Sequence, residues 1–167
     1  YPKYWRGKAA FDTLEFRIVP DDNAAFVQLK NGAVDVYQSV NLAQFKTLKH
    51  IPHVAIHQTP ALLWEHLSFN TEKPYFSDAR VRRAIAHSID KNVLSDKVYD
   101  GLWKPAWSDQ NPLSWAYNPD LVEKVGYDPV KAEKLLDEAG WKRGSDGVRV
   151  KDGLRFEVVF ATTAGKK

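Results

Sequence analysis

The chain has 167 residues, 44% of them hydrophobic, with 24 Lys and Arg against 21 Asp and Glu for a net charge of +3. Charges mixed this evenly imply neither an acidic partner nor a nucleic-acid surface, and the absence of Cys excludes disulfides and thiol catalysis. No apolar run is long enough for a membrane-spanning helix. Six Trp contribute to a 13% aromatic content, which suits both packed cores and the walls of ligand clefts.

Leu14, Phe16 and Ile18 alternate with Thr13, Glu15 and Arg17, the period-two pattern of a half-buried strand that Pro20 ends. A short helix follows, with Ala25, Phe26 and Leu29 on its apolar side and Asn31-Gly32 as its stop. Val34 to Tyr37 reads as another strand, and Asn41 caps a second helix marked by Leu42, Phe45 and Leu48. Val54 and Ile56 open a further extended segment that runs, after Pro60, through Leu62 to Asn70.

Ser77 or Asp78 caps the next helix, in which Val81, Ala84, Ile85, Ser88, Ile89 and Asn92 follow the spacing of a buried face. Arg80, Arg83, His87 and Lys91 then fall on the opposite side, read as a solvated basic face. Asp90 caps another helix through Val93, Leu94 and Val98, stopped by Gly101. Leu102 to Tyr127, rich in Trp, Pro and Asn, lacks periodicity and reads as a long ordered loop in which Trp107 and Trp115 serve as packing residues.

Asp128-Pro129 places a cap before a Pro at the first helical position, with Ala132, Leu135, Leu136 and Ala139 as the buried stripe. Gly140 ends that helix and Trp141 is placed to fold back on Leu136, as in a Schellman ending. Val148 and Val150 then oppose Leu154, Phe156, Val158 and Phe160 across Asp152-Gly153, a dipeptide favoured in type I′ hairpin turns.

Enzyme chemistry finds no support in these residues. His50, His53 and His57 lie where Pro52 and the alternating Val54 and Ile56 indicate a loop entering a strand, so nothing makes them converge on a metal. No nucleophile elbow is present, and Thr162 to Lys166 lacks the first Gly of a phosphate-binding loop. No catalytic residue, metal ligand or cofactor is assigned.

The segment from Phe69 to Lys91 carries Phe69-Asn70, a short loop, Pro74-x-Phe76-x-Asp78, Arg80-Val81-Arg82-x-Ala84 and Ile89-Asp90-Lys91. It resembles a signature of the large extracytoplasmic solute-binding proteins of ABC importers, family 5, the oligopeptide-, dipeptide- and nickel-binding type. Asp128-Pro129-x-Lys131-Ala132-x-x-Leu135-Leu136-x-Glu138-Ala139-Gly140-Trp141 and Asp146-Gly147-Val148-Arg149 are similar to the same family's pattern, as is Gly32-x-Val34-Asp35-Val36. Tyr1 to Lys8 resembles an interior segment, Asn-Pro-x-Tyr-Trp-Arg-Gly-Lys, and with the absence of Met this implies a piece of a longer protein whose leader and lipid-anchor Cys lie outside the chain.

The resemblance implies a mixed α/β fragment of a two-lobed periplasmic-binding-protein type II fold, with residues 1–61 in the first lobe and residues 62–167 in the other large lobe. It implies capture of peptides, at the periplasmic or extracellular face of the cytoplasmic membrane, for delivery to ABC permease subunits. On the same scaffold, relatives bind nickel chelates, sugars or opines, and the alternative is a ligand-sensing or partner-binding module without a transport role. The substrate-binding candidates are Tyr37 and Gln38, at the end of a first-lobe strand, and Trp64 and Glu65, in the segment that crosses between lobes. Strands whose sheet partners lie outside the chain also imply that the isolated chain either self-associates through its first segment or leaves that segment loosely packed.

Overall fold

The computed structural model describes residues 3–38 and 40–162, which divide into two compact units at Thr59 and Pro60. In the first unit, α1 spans Asp22–Lys30 and α2 spans Leu42–Leu48. Asp21 Oδ1 accepts the Ala24 N–H at 2.7 Å and Asn41 Oδ1 accepts the Gln44 N–H at 2.9 Å, so each helix starts where a short polar side chain satisfies an orphan backbone donor. Gln44, almost fully buried, donates from Nε2 to the Asp22 carbonyl and to Asn23 Oδ1, at 3.2 and 3.1 Å, and so ties α2 to the start of α1.

The strands expected at Leu14 to Ile18, Val34 to Tyr37 and Val54 to Ile56 do not form: among the described residues these segments make no ladder. Alternation fixes an extended backbone, but a strand also needs a neighbour, and none of the described segments supplies one. Phe16 and Ile18 are consequently 84% and 92% exposed.

The second unit is built on α3, Ala79–Ser88, packed against α5, Pro129–Glu138. Between them come α4, Lys91–Val93, continued by a π-helical turn over Leu94–Val98, and a loop containing a 3₁₀ turn at Pro119–Leu121. A three-stranded antiparallel sheet closes the unit in the order β1 (Lys142–Arg143), β2 (Arg149–Lys151), β3 (Leu154–Arg155). The sequence reading did not include β1 and carried the hairpin further: Val158 and Phe160 lie beyond the ladder and are exposed.

The expected caps hold in this unit. Asp78 accepts the Arg80 N–H at 2.8 Å, Asp90 the Asn92 and Val93 N–H groups at 3.0 and 3.1 Å, and Asp128 the Lys131 N–H at 2.9 Å. At the end of α5, Gly140 N–H bonds the Asp137 carbonyl and Trp141 N–H bonds the Leu136 carbonyl at 2.9 Å, a Schellman ending that needs the positive φ of +89° at Gly140. Asp152 and Gly153, at φ +52° and +78°, make the expected type I′ turn and pair Lys151 with Leu154 and Val150 with Arg155.

That turn and that Schellman ending together position the core. Trp141, 1% exposed, packs with Val81 and Ala139 and is ringed by Tyr75, Phe76, Ile85, Leu136, Leu154 and Phe156. Its ring meets Phe156 edge-on at 4.8 Å and stacks on Tyr75 at 5.8 Å. Arg149, its side chain 10% exposed, braces the corner by donating to Asp137 Oδ1 at 2.7 Å and to the Trp141 carbonyl.

The basic side of α3 is only in part the solvated face that periodicity suggested: Arg80 and Arg83 are exposed, but His87 is not. His87 is buried, and since a carbonyl only accepts, its Nδ1 carries the proton donated to the Gly126 carbonyl at 2.7 Å. Arg83 reaches Glu123 at 2.6 Å and the Asp128 N–H bonds the His87 carbonyl, so the segment ahead of α5 covers the His87 end of this side while Arg83 stays exposed. Ser88 and Asn92, expected on the buried face, are exposed.

Candidate functional site

Tyr37 and Gln38 belong to the first unit, Trp64 and Glu65 to the second. Tyr37 follows the extended Val34 to Val36 segment and is half-buried, its hydroxyl fully covered and without a hydrogen-bond partner among the described residues. Burial raises the phenol above its ordinary value, and the carboxylates of Asp22 and Asp21 push it further in the same direction. Gln38, next along the chain, is exposed.

Sequence reasoning passed over Gln44, whose Oε1 is also buried and unpartnered. Its helical position was the available signal, because Asn41, Gln44, Phe45 and Leu48 fall on one face of α2. Two covered polar atoms, the Tyr37 hydroxyl and Gln44 Oε1, find no hydrogen-bond partner among the described residues.

In the second unit the extended backbone sends Trp64 and Glu65 to opposite sides. Glu65 Oε2 accepts a hydrogen bond from the Tyr99 hydroxyl at 2.6 Å, and the Tyr99 ring stacks on Trp103 at 4.5 Å. That hydrogen bond is the main reason that the Tyr99 phenol is raised above its ordinary value, with burial adding to it. Trp64 instead stacks on His66 at 4.2 Å with the rings 27° apart, and stays 42% exposed. The Glu65 anchor thus holds one side of the segment and leaves Trp64 and His66 as a paired aromatic surface on the other. His66 was absent from the sequence-based set, although its spacing of two from Trp64 in an extended run signals a shared side.

Trp107 and Trp115 were both expected to hold the long loop. Trp107 does: Lys91 Nζ lies 4.4 Å from its ring centre, and desolvation there lowers the ammonium from its ordinary value. Trp115 does not, being 98% exposed.

A family model, bacterial extracellular solute-binding proteins, family 5 Middle, matches residues 1–167. The chain belongs to this family. It is 33% identical over 166 residues to the oligopeptide-binding protein AppA of Bacillus subtilis, covering 98% of the chain and 30% of that protein. It is 34% identical over 144 residues to heme-binding protein A of Haemophilus influenzae, covering 86% of the chain and 26% of the relative.

Among solved structures, AppA in complex with a nonapeptide matches with a TM-score of 0.70 and 34% identity, over 92% of the chain and 31% of AppA. NikA of Brucella suis, in complex with Fe(III)-EDTA, gives a TM-score of 0.72 at 27% identity, over 91% of the chain and 31% of NikA. The chain therefore spans less than a third of the length of these relatives. Its mixed helix and sheet architecture is that of a part of the two-lobed periplasmic binding fold, and the family consists of extracytoplasmic solute-binding proteins, not of enzymes.

Proposed function

We propose that this chain contributes to a protein that captures peptides outside the cytoplasmic membrane and hands them to ABC permease subunits, with no covalent step. The carrying observation is the similarity to the nonapeptide-bound oligopeptide-binding protein AppA over 92% of the chain at 34% identity. In this reading residues 1–61 belong to the first lobe and residues 62–167 to the other, a division supported by the break between compact units at Thr59 and Pro60. Lipid anchoring at the membrane face is part of the same reading.

Tyr37 and Gln38 supply ligand contacts from the first unit, where the covered Tyr37 hydroxyl has no partner among the described residues. Trp64 offers an exposed ring, and Glu65, through its bond to Tyr99 on the opposite side of the segment, fixes the backbone that presents that ring. The unladdered Leu14 to Ile18 segment supports self-association of the isolated chain, since exposed extended backbone with apolar side chains pairs readily with a copy of itself.

Native mass spectrometry of the protein purified from its own cells tests the ligand class. A set of retained masses that fragment as peptides is the expected result. A single retained haem, metal chelate or sugar overturns the peptide assignment while leaving the solute-binding role in place.

A further inference from the structure

The loop ahead of α5 lines an open cavity of about 350 Å³, most of whose lining residues are exposed, that lies wholly within the second unit and takes no residue from the candidate ligand contacts described above. Its walls include the rings of Trp107 and Tyr117, the amides of Gln110 and Asn118, and the carboxylates of Asp109 and Glu123, with no Lys or Arg among them. Glu123 is committed to Arg83 at 2.6 Å, whereas Asp109 makes no hydrogen bond or ion pair to another described residue. Lys91 Nζ, 4.4 Å from the Trp107 ring centre, already occupies one face of that ring, so the Tyr117 ring is the aromatic wall without an internal cation.

The walls are held in place by local hydrogen bonds. Ser108 Oγ accepts the Gln110 N–H at 2.9 Å, Asn118 Oδ1 accepts the Asp120 N–H at 3.0 Å, and Asn111 bridges the Leu113 N–H to the Ala61 carbonyl. A site whose groups are fixed before binding loses less entropy when it is filled. From the cavity, its aromatic walls and the unpaired carboxylate, we propose that this loop binds a small organic cation, a guanidinium or alkylammonium group seated between an aromatic face and Asp109. Cavities of this size are large enough for such a group, and aromatic faces joined to a carboxylate distinguish it from a neutral molecule of equal shape.

Two probes of matched shape separate charge from size: n-butylguanidinium and the neutral n-butylurea, each titrated into the ¹⁵N-labelled chain. The expected result is saturable movement of the Trp107 indole N–H and of backbone signals over residues 108–123, with the cation bound about tenfold more tightly than the urea. Asp109→Asn, at an exposed position, should remove about fivefold of that preference. Absence of saturable movement with either probe refutes the site, and equal response to both refutes its cation selectivity. A preference unchanged in Asp109→Asn refutes the role of the carboxylate. The comparison of two probes on the unaltered chain decides the main point without any variant, and it is independent of the peptide reading.

Discussion

Trp141 and Trp115 are the same residue type in opposite environments, 1% and 98% exposed, and replacing each by Ala measures what burial contributes. Trp141→Ala removes the ring that Phe156 meets at 4.8 Å and Tyr75 at 5.8 Å, and leaves a void lined by Val81, Leu136 and Phe156 that their fixed backbones only partly close. Truncations of this kind cost about 3–5 kcal/mol, against a total of roughly 5–15 kcal/mol for a domain. For a unit of this size the midpoint should fall by roughly 12–20 °C. Trp115→Ala removes an indole that nothing covers, and its effect should stay within about 0.5 kcal/mol. Thermal unfolding followed by far-UV circular dichroism, on both variants beside the parent, provides the comparison. A Trp141→Ala midpoint within about 3 °C of the parent would refute the assignment of the core to the contact of α3, α5 and the hairpin.

The carboxyls of Asp78, Asp137 and Asp146 are held below the ordinary carboxylate range, chiefly by side-chain hydrogen bonds from Arg80, Arg149 and Arg155 respectively. Depressed folded values mean that their contribution is complete above about pH 4 and disappears as pH falls through the lowered values, so Asp78→Asn should flatten the acid limb of a midpoint-against-pH curve; an unaltered limb would contradict the linkage. Arg80 Nη1 donates to the Glu138 carbonyl at 2.7 Å and Arg82 Nη1 to the Phe76 carbonyl at 2.6 Å, so replacing both by Ala should lower the thermal midpoint and leave peptide affinity within about threefold, measured by calorimetry on the protein purified from its own cells. In the same protein, Tyr37→Ala should weaken peptide binding by about tenfold or more, whereas Trp107→Ala should chiefly lower stability, and the reverse pattern would exchange their roles.

The elements legible in the sequence are those whose causes are local. Caps at Asn41, Asp78, Asp90 and Asp128, the stop at Gly140 and the turn at Asp152-Gly153 each depend on residues within a few positions, and each is found where it was expected; the Asp21 cap, equally local, was not read. The strands at Leu14 to Ile18, Val34 to Tyr37 and Val54 to Ile56 failed because a ladder is non-local and alternation carries no information about a partner. The burial of His87 was missed for a similar reason: among four basic positions on one helix side, it looks as solvated as Arg80 and Arg83 until the Gly126 to Asp128 segment is laid over it. Gln44 and His66 shared a face with residues that were singled out, yet a polar residue among apolar ones reads as an exception until its partners are seen.

The segment that identifies the family most clearly is also the one with least to say about the ligand. Asp78 caps α3 and grips Arg80; Arg80 holds the end of α5 through the Glu138 carbonyl; Arg82 holds the Phe76 and Ser77 carbonyls; Phe76 packs on the Trp141 core. These polar groups are all occupied inside the second unit, by capping and bracing. A pattern maintained for those purposes is compatible with relatives named for oligopeptides and for haem, and with a neighbour holding Fe(III)-EDTA. The groups of this chain that remain open to a ligand in the proposed reading are therefore others: the Tyr37 hydroxyl, the exposed Trp64 and His66 pair, and the carboxylate of Asp109, none of which serves the packing of that run.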